Sequence, residues 1–128
     1  MMDAMLIDIA LREWAIKNPL IGRLWVFGSR CRGDHKYDSD LDIAIELDLS
    51  AKDGVDMSGG FATWMLEKSK LIDELVSLFS LKIDLQQYRG SNTPTIQKAL
   101  DHSSRLIYTK AGFVSCFTSW VGAAKTHL

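Results

Sequence analysis

Residues 20–47 read LIGRLWVFGSRCRGDHKYDSDLDIAIEL, and the pattern in this stretch decides the fold. Its first part, residues 20–27, is rich in branched and aromatic residues, which predicts a buried strand. Gly28-Ser29 then breaks this strand, and a short helical turn and a polar loop follow. Residues 40–47 alternate strictly between polar and apolar side chains. The alternation predicts a second strand that places one face in the core and two aspartates on the other face.

The segments that follow and precede this stretch predict three helices and two further strands. Apolar residues at three- and four-residue spacing predict helices over residues 3–17 and 61–79. Residues 82–88, KIDLQQY, alternate again and predict a third strand. Proline in the first helical position predicts a helix over 94–103, and the apolar segment 105–109 predicts a short edge strand.

A last helix is expected over residues 111–125, after which the chain ends at residue 128. Its apolar stripe consists of Phe113, Phe117, Trp120, Val121 and Ala124. We expect this stripe to pack on its own domain; if it is exposed instead, it would mark an interface with a partner. The order of elements predicts an α/β (α+β) fold with a small mixed β-sheet flanked by helices. Residues 1–110 would form the domain, and residues 111–128 would be a C-terminal helical extension of it.

Length and composition set the broad class of protein. The 128 residues fit one compact domain, and 47% apolar with 24% charged residues is ordinary for a globular fold. A net charge of −1 gives no general attraction to nucleic acid or to an anionic membrane. The two cysteines, Cys31 and Cys116, make neither a disulfide framework nor a zinc site. Without a signal peptide or a run of ~18 apolar residues, we expect a cytoplasmic protein.

Three aspartates are the candidate metal ligands. Asp40 and Asp42 project from the same strand face and repel each other, and Mg²⁺ relieves such repulsion because it prefers carboxylate oxygens. Asp84 lies on the polar side of the third predicted strand and joins them if that strand is adjacent. Three acids on one sheet face can bind two Mg²⁺ ions about 3.5–4 Å apart, as in displacement at phosphorus. The alternative is that all three are surface acids at strand edges.

The Gly28-Ser29 turn is the candidate phosphate site. A strand that turns into a helix leaves free backbone N–H groups at the helix start, and glycine lets a phosphate approach closely. Arg30 and Arg32 lie near enough in sequence to add positive charge. The alternative interpretation is a plain serine cap on a short helix.

The Gly28-Ser29 turn and the aspartate pair together indicate a particular family more specifically than either feature does alone. Gly28-Ser29, ten intervening residues and then Asp40-Leu41-Asp42 resembles the signature of the DNA polymerase β-like nucleotidyltransferase superfamily. Within it, GSRCRG followed by YDSDLDIAI is similar to the minimal nucleotidyltransferase (MNT) group, in which G-S-x-A-R-G precedes S-D-[LI]-D. The resemblance is strong from residues 25–47 and extends to KIDL and RLIY. It departs at Cys31, where the group often has alanine, and in residues 111–128, which extend past the usual end.

The resemblance implies the polymerase β-like fold and assigns roles to residues. Asp40 and Asp42 match the two metal-binding acids, and Asp84 matches the third acid. Gly28 and Ser29 match the nucleotide-binding motif. Arg32 matches the arginine of that motif. Such domains use Mg²⁺ and transfer a nucleoside monophosphate, usually AMP from ATP, to a hydroxyl.

The resemblance also implies a partner. In the MNT group it is often a HEPN-domain ribonuclease toxin, which the MNT antitoxin neutralises by binding and by adding AMP to a tyrosine. Two alternatives remain open: an antitoxin that acts by binding alone, and a small-molecule nucleotidyltransferase that completes its pocket as a homodimer. No membrane and no direct nucleic-acid binding is expected.

Two further polar residues receive no role in catalysis. Glu46 shares the acidic strand face but lies one step further along, so we rank it below the three aspartates. His35 lies in the loop between the two motifs and is interpreted as a solvated histidine.

Overall fold

A computed structural model describes residues 3–51 and 60–115 of the chain. Every helix and strand that the sequence predicts before residue 110 is present, with ends shifted by two residues or fewer. The helices and strands are α1 (Ala4–Ile16), β1 (Ile21–Phe27), α2 (Ser29–Arg32), β2 (Leu41–Leu47), α3 (Phe61–Phe79), β3 (Ile83–Gln87), α4 (Pro94–His102) and β4 (Ser104–Thr109). Short 3-10 turns follow β2 and precede α4.

The four strands form one mixed sheet in the order β3-β2-β1-β4. β1 is antiparallel to both β2 and β4, whereas β2 and β3 are parallel. The parallel pair is joined through α3, the long crossover that parallel strands require. The prediction of a small mixed sheet flanked by helices is confirmed, and β4 is an edge strand as expected.

Helices cover both faces of the sheet. α1 and α3 pack on the face that carries Leu24, Val26 and Ile43, which is the larger of the two cores. α4 covers the opposite face. The buried residues of that smaller core are Trp25, Phe27, Ala44, Tyr88 and Leu100. The expectation that β2 buries only one face is therefore wrong, because Ala44 is buried in this smaller core and Glu46 is buried against Arg23.

Only part of the apolar surface of α3 is buried. Trp64, Leu71 and Leu75 are buried, but Phe61 is 50% exposed and Met65 is 63% exposed. Met65 follows Trp64 directly, so it points about 100° away around the helix.

The chain after β4 folds back over the first residues of β1. Residues 111–115 form a turn and a loop, so the prediction of a helix that begins at Ala111 is wrong there. Gly112 supplies a positive φ of 76° in this turn. The Phe113 ring lies against Gly22, where any side chain would collide with it. The remainder of the predicted helix, residues 116–128, lies outside the described residues.

No helix within residues 3–51 and 60–115 combines the length and the apolarity needed to cross a membrane.

Candidate active site

The turn between β1 and α2 brings the backbone close to an acid of the neighbouring strand. Gly28 has a φ of 74°, and a Cβ at this position would overlap the carboxylate of Asp42. The Gly28 carbonyl accepts from the Cys31 and Arg32 amides at 3.1 Å each, which closes the turn. The Ser29 and Arg30 amides come before the first amide that bonds to the Gly28 carbonyl, so helix geometry offers them no carbonyl within α2. Glycine is therefore required here both for backbone conformation and for space.

Two of the three predicted acids come together across the parallel strand pair. Asp42 and Asp84 are register partners, and their side chains are in hydrogen-bonding contact. Burial, the adjacent Asp84 and the charge of Asp40 raise the pKa of Asp42 to about 6, and Arg32 partly opposes this. Two carboxylates held this close cannot both ionise without a counter-charge.

Asp40 lies just before β2 and acts on Asp42 through its charge. No three acidic, histidine or cysteine side chains in the described part of the chain already form a shared set of metal ligands. The role of Asp40 as a metal ligand thus stays a prediction. The contacting pair of Asp42 and Asp84 fits a divalent cation, because its oxygens are hard ligands and its repulsion is relieved by positive charge.

Gln86 is a polar partner of this acid pair. Its Nε2 donates to Asp84 Oδ1 at 2.8 Å. Sequence reasoning gave Gln86 no role in the site. The signal was the strand alternation of residues 82–88, which places Gln86 on the same face as Asp84.

The guanidinium of Arg30, expected to bind phosphate, is bonded instead to backbone carbonyls of the following loop. Arg30 is 6% exposed, and its guanidinium donates to the Ser39 carbonyl at 2.9 and 3.1 Å and to the Tyr37 carbonyl at 3.2 Å. These bonds connect α2 to the residues directly before Asp40. The placement favours a role in holding the loop over direct contact with a phosphate.

Arg32 remains at the surface near the acids. Its Nε forms an ion pair with Asp34 Oδ2 at 3.1 Å, and its Nη1 donates to Ser103 Oγ at 3.4 Å. Since its charge lowers the pKa of Asp42, Arg32 is close enough to act on the same site electrostatically.

Glu46 and His35 lie away from the acid pair. Glu46 is 1% exposed and forms an ion pair with Arg23, which is consistent with ranking it below the aspartates. His35 is half-buried and lines a cavity of about 210 Å³ with Leu41 and Arg105, so it is less solvated than its loop position suggested.

The polymerase beta nucleotidyltransferase family matches residues 10–112, which span the sheet, the turn and all three aspartates. The chain therefore belongs to the polymerase beta nucleotidyltransferase family. No curated protein matches the sequence.

Solved structures of toxin–antitoxin complexes have the same fold. A chain of one such complex with AMP-PNP superposes with a TM-score of 0.59 at 19% identity, covering 80% of this chain and 73% of the other. A chain of the MntA–HepT toxin–antitoxin gives a TM-score of 0.54 at 18% identity, covering 84% and 74%. A third match comes from Shewanella oneidensis, a tri-AMPylated HEPN toxin in complex with an MNT antitoxin. It has a TM-score of 0.54 at 19% identity and covers 84% and 73%.

Proposed function

We propose that this chain transfers AMP from ATP to a hydroxyl of a partner protein, with Mg²⁺ as its metal. The observation that carries the proposal is the contact between Asp42 and Asp84 directly beside the Gly28 turn. A nucleotide phosphate at that turn would lie next to the two acids. Family membership supports the reaction class, and the pairing of Asp42 with Asp84 across β2 and β3 supports the choice of residues.

Each group has a defined task in this proposal. The amides of the Gly28-Ser29 turn and the Ser29 hydroxyl bind the triphosphate. Asp40, Asp42 and Asp84 would hold two Mg²⁺ ions, which neutralise the phosphates and favour ionisation of the attacking hydroxyl. The hydroxyl oxygen bonds to the α-phosphorus while the bond to pyrophosphate breaks.

The proton of the attacking hydroxyl and the negative charge on pyrophosphate also need partners. A carboxylate of Asp84 accepts the proton of the hydroxyl as the new ester bond forms. Arg32, at the surface near Asp42, offsets charge on the departing pyrophosphate. Arg30 contributes by holding the loop before Asp40.

We further propose that the acceptor is a tyrosine of a HEPN-type toxin and that the chain is its antitoxin. The support is the fold shared with toxin–antitoxin complexes, one of which contains a tri-AMPylated toxin. Intact-mass spectrometry of a HEPN toxin mixed with this protein and Mg-ATP tests the proposal. Added AMP located to a tyrosine supports it, and an unchanged toxin mass over a full time course contradicts it.

Neutralisation by binding alone is the second candidate, and exposed apolar side chains on α1 favour it. Met5 is 67%, Leu6 52% and Ile9 41% exposed within the first two turns of that helix. A partner surface of this kind would act without chemistry. Toxin assays separate the two: neutralisation that survives Asp42→Asn but not Leu6→Glu favours binding, and the reverse favours transfer.

A further inference from the structure

Gln86 lies on the edge strand β3, at the end of an otherwise apolar row on the α4 side of the sheet. Its register partner on β2 is Ala44, which in turn pairs with Trp25 on β1. Ala44 and Trp25 are at most 1% exposed. Gln86 itself is half-buried at this edge of the sheet, and its amide has a partner within the protein.

The amide reaches back along β3 to Asp84. Side chains two residues apart on a strand share a face, and a glutamine is long enough to span the gap. The resulting bond of 2.8 Å occupies Asp84 Oδ1. The second carboxylate oxygen is then left for Asp42 and for any ligand bound there.

We propose that Gln86 is a positioning residue, which fixes the orientation of Asp84 for metal binding and for accepting the hydroxyl proton. This inference rests on the proposed function. A ligand carboxylate is held in its productive orientation by a hydrogen bond from a residue behind it, and loss of such a bond typically costs about 10–100-fold in metal affinity or activity.

The next residue provides a matched control. Gln87 points to the other face of β3, is 8% exposed, and donates from Nε2 to the Gly60 carbonyl at 3.2 Å. Gln86→Met and Gln87→Met make the same chemical change in adjacent positions. Only the first removes a bond to a predicted metal ligand, so a general effect of losing a glutamine appears in both.

The first measurement is Mg²⁺ binding by titration calorimetry on the full chain, which needs no turnover. We expect Gln86→Met to bind Mg²⁺ about 10–100-fold more weakly than wild type, whereas Gln87→Met binds as wild type does. Equal Mg²⁺ affinity in wild type and Gln86→Met overturns the inference, and so does a wild-type protein that binds no Mg²⁺.

The second measurement is AMP transfer with Mg-ATP, below the unfolding temperature of every variant. Gln86→Met should lower kcat about 10–100-fold and change KM for ATP little, because the Gly28-Ser29 turn is untouched. Gln86→Glu keeps the length but replaces the N–H donor by a negative charge, so a positioning role predicts a loss at least as large. Retained kcat in either variant contradicts the inference.

The two proposals fail in different ways. A wild-type protein that binds Mg²⁺ but transfers no AMP overturns the proposed function, while the Mg²⁺ affinities of the variants still decide the role of Gln86. An active wild-type protein with an equally active Gln86→Met leaves the proposed function intact and overturns the positioning role.

Discussion

Two acids on the same face of β2 have opposite environments. Glu46 lies opposite Arg23 of β1, which donates from Nε at 2.7 Å, and Ser115 Oγ donates to its other oxygen at 2.6 Å. Asp42, four residues earlier, lies opposite apolar Phe27 on β1 and beside another acid on β3. The first acid is neutralised by the fold, and the second is left needing a positive charge.

Aromatic residues beside Arg23 add to the difference between the environments of Glu46 and Asp42. The Arg23 guanidinium lies 5.0 Å from the Trp25 ring centre and 5.8 Å from that of Tyr88, so its charge is held by ring faces as well as by Glu46. At the other end, among residues 3–51 and 60–115, Arg32 is the cation that acts on Asp42, and it lies at the surface. The residues on the neighbouring strands therefore decide whether the charge of each acid is balanced within the fold.

Disrupting the ion pair between Arg23 and Glu46 should have the largest effect on stability. Glu46→Ala leaves Arg23 buried without its carboxylate, and we expect a loss of about 3–5 kcal/mol in the free energy of unfolding. Chemical denaturation measures it. A companion variant that replaces both charges, Arg23→Met with Glu46→Leu, should recover most of the loss; if it does not, packing and not charge explains the effect.

A substitution in the Gly28 turn beside Asp42 should have the next largest effect on stability. Gly28→Ala forces a side chain into the Asp42 carboxylate at a positive φ, and we expect a loss of about 1–3 kcal/mol in stability. Nucleotide binding, followed by equilibrium titration with AMP-PNP, should be lost in the folded variant. Gly33→Ala is the control, since it also has positive φ but meets no atom within 4 Å, so it should lower stability without affecting nucleotide affinity.

Removing the charge of the Asp42 carboxylate should stabilise the protein. The pKa of Asp42 is about 6 in the folded state and about 4 when unfolded, so the unpaired carboxylate lowers stability as pH rises from about 4 to about 6. In metal-free buffer at pH 7.5, Asp42→Asn should gain about 1–2 kcal/mol once solvent screening is included.

That gain should vanish below pH 4, where Asp42 is protonated in both states. Thermal unfolding of wild type and Asp42→Asn across this pH range checks the sign. Asp73→Asn, an exposed acid on α3, is the control and should show no such change. A wild-type protein that gains stability from pH 4 to pH 6 relative to Asp42→Asn would contradict the interpretation.

The smallest effect is expected at a second neutralised acid. Asp48 loses some solvation by burial, but Lys110 Nζ at 2.7 Å and Ser50 hold its pKa below the usual value. Its contribution is present above about pH 4 and is lost as pH falls. Lys110→Met should cost about 1 kcal/mol at pH 7 and flatten this acid dependence, measured by urea denaturation at pH 3 and pH 7. Unchanged acid dependence would show that the ion pair is not its source.

Local sequence patterns were sufficient for the elements and for part of the site. The two-residue period of β2 places Asp42 and Glu46 on one face whatever surrounds them, although Asp40 lies just before the strand. The Gly28-Ser29 break follows from the end of an apolar run. Helix α3 was predicted over its observed length, because nineteen residues of helical spacing outweigh its weak start.

Only the tertiary structure decided which charges meet. That Asp84 contacts Asp42 depends on the parallel register of β2 and β3, whose partners are about forty residues apart in the chain. The direction of Arg30, the Arg23–Glu46 pair and the second buried sheet face depend equally on contacts between distant segments. Periodicity along one strand specifies the face on which a side chain lies, but strand pairing and the covering helix determine its neighbours, and electrostatic effects depend on those neighbours.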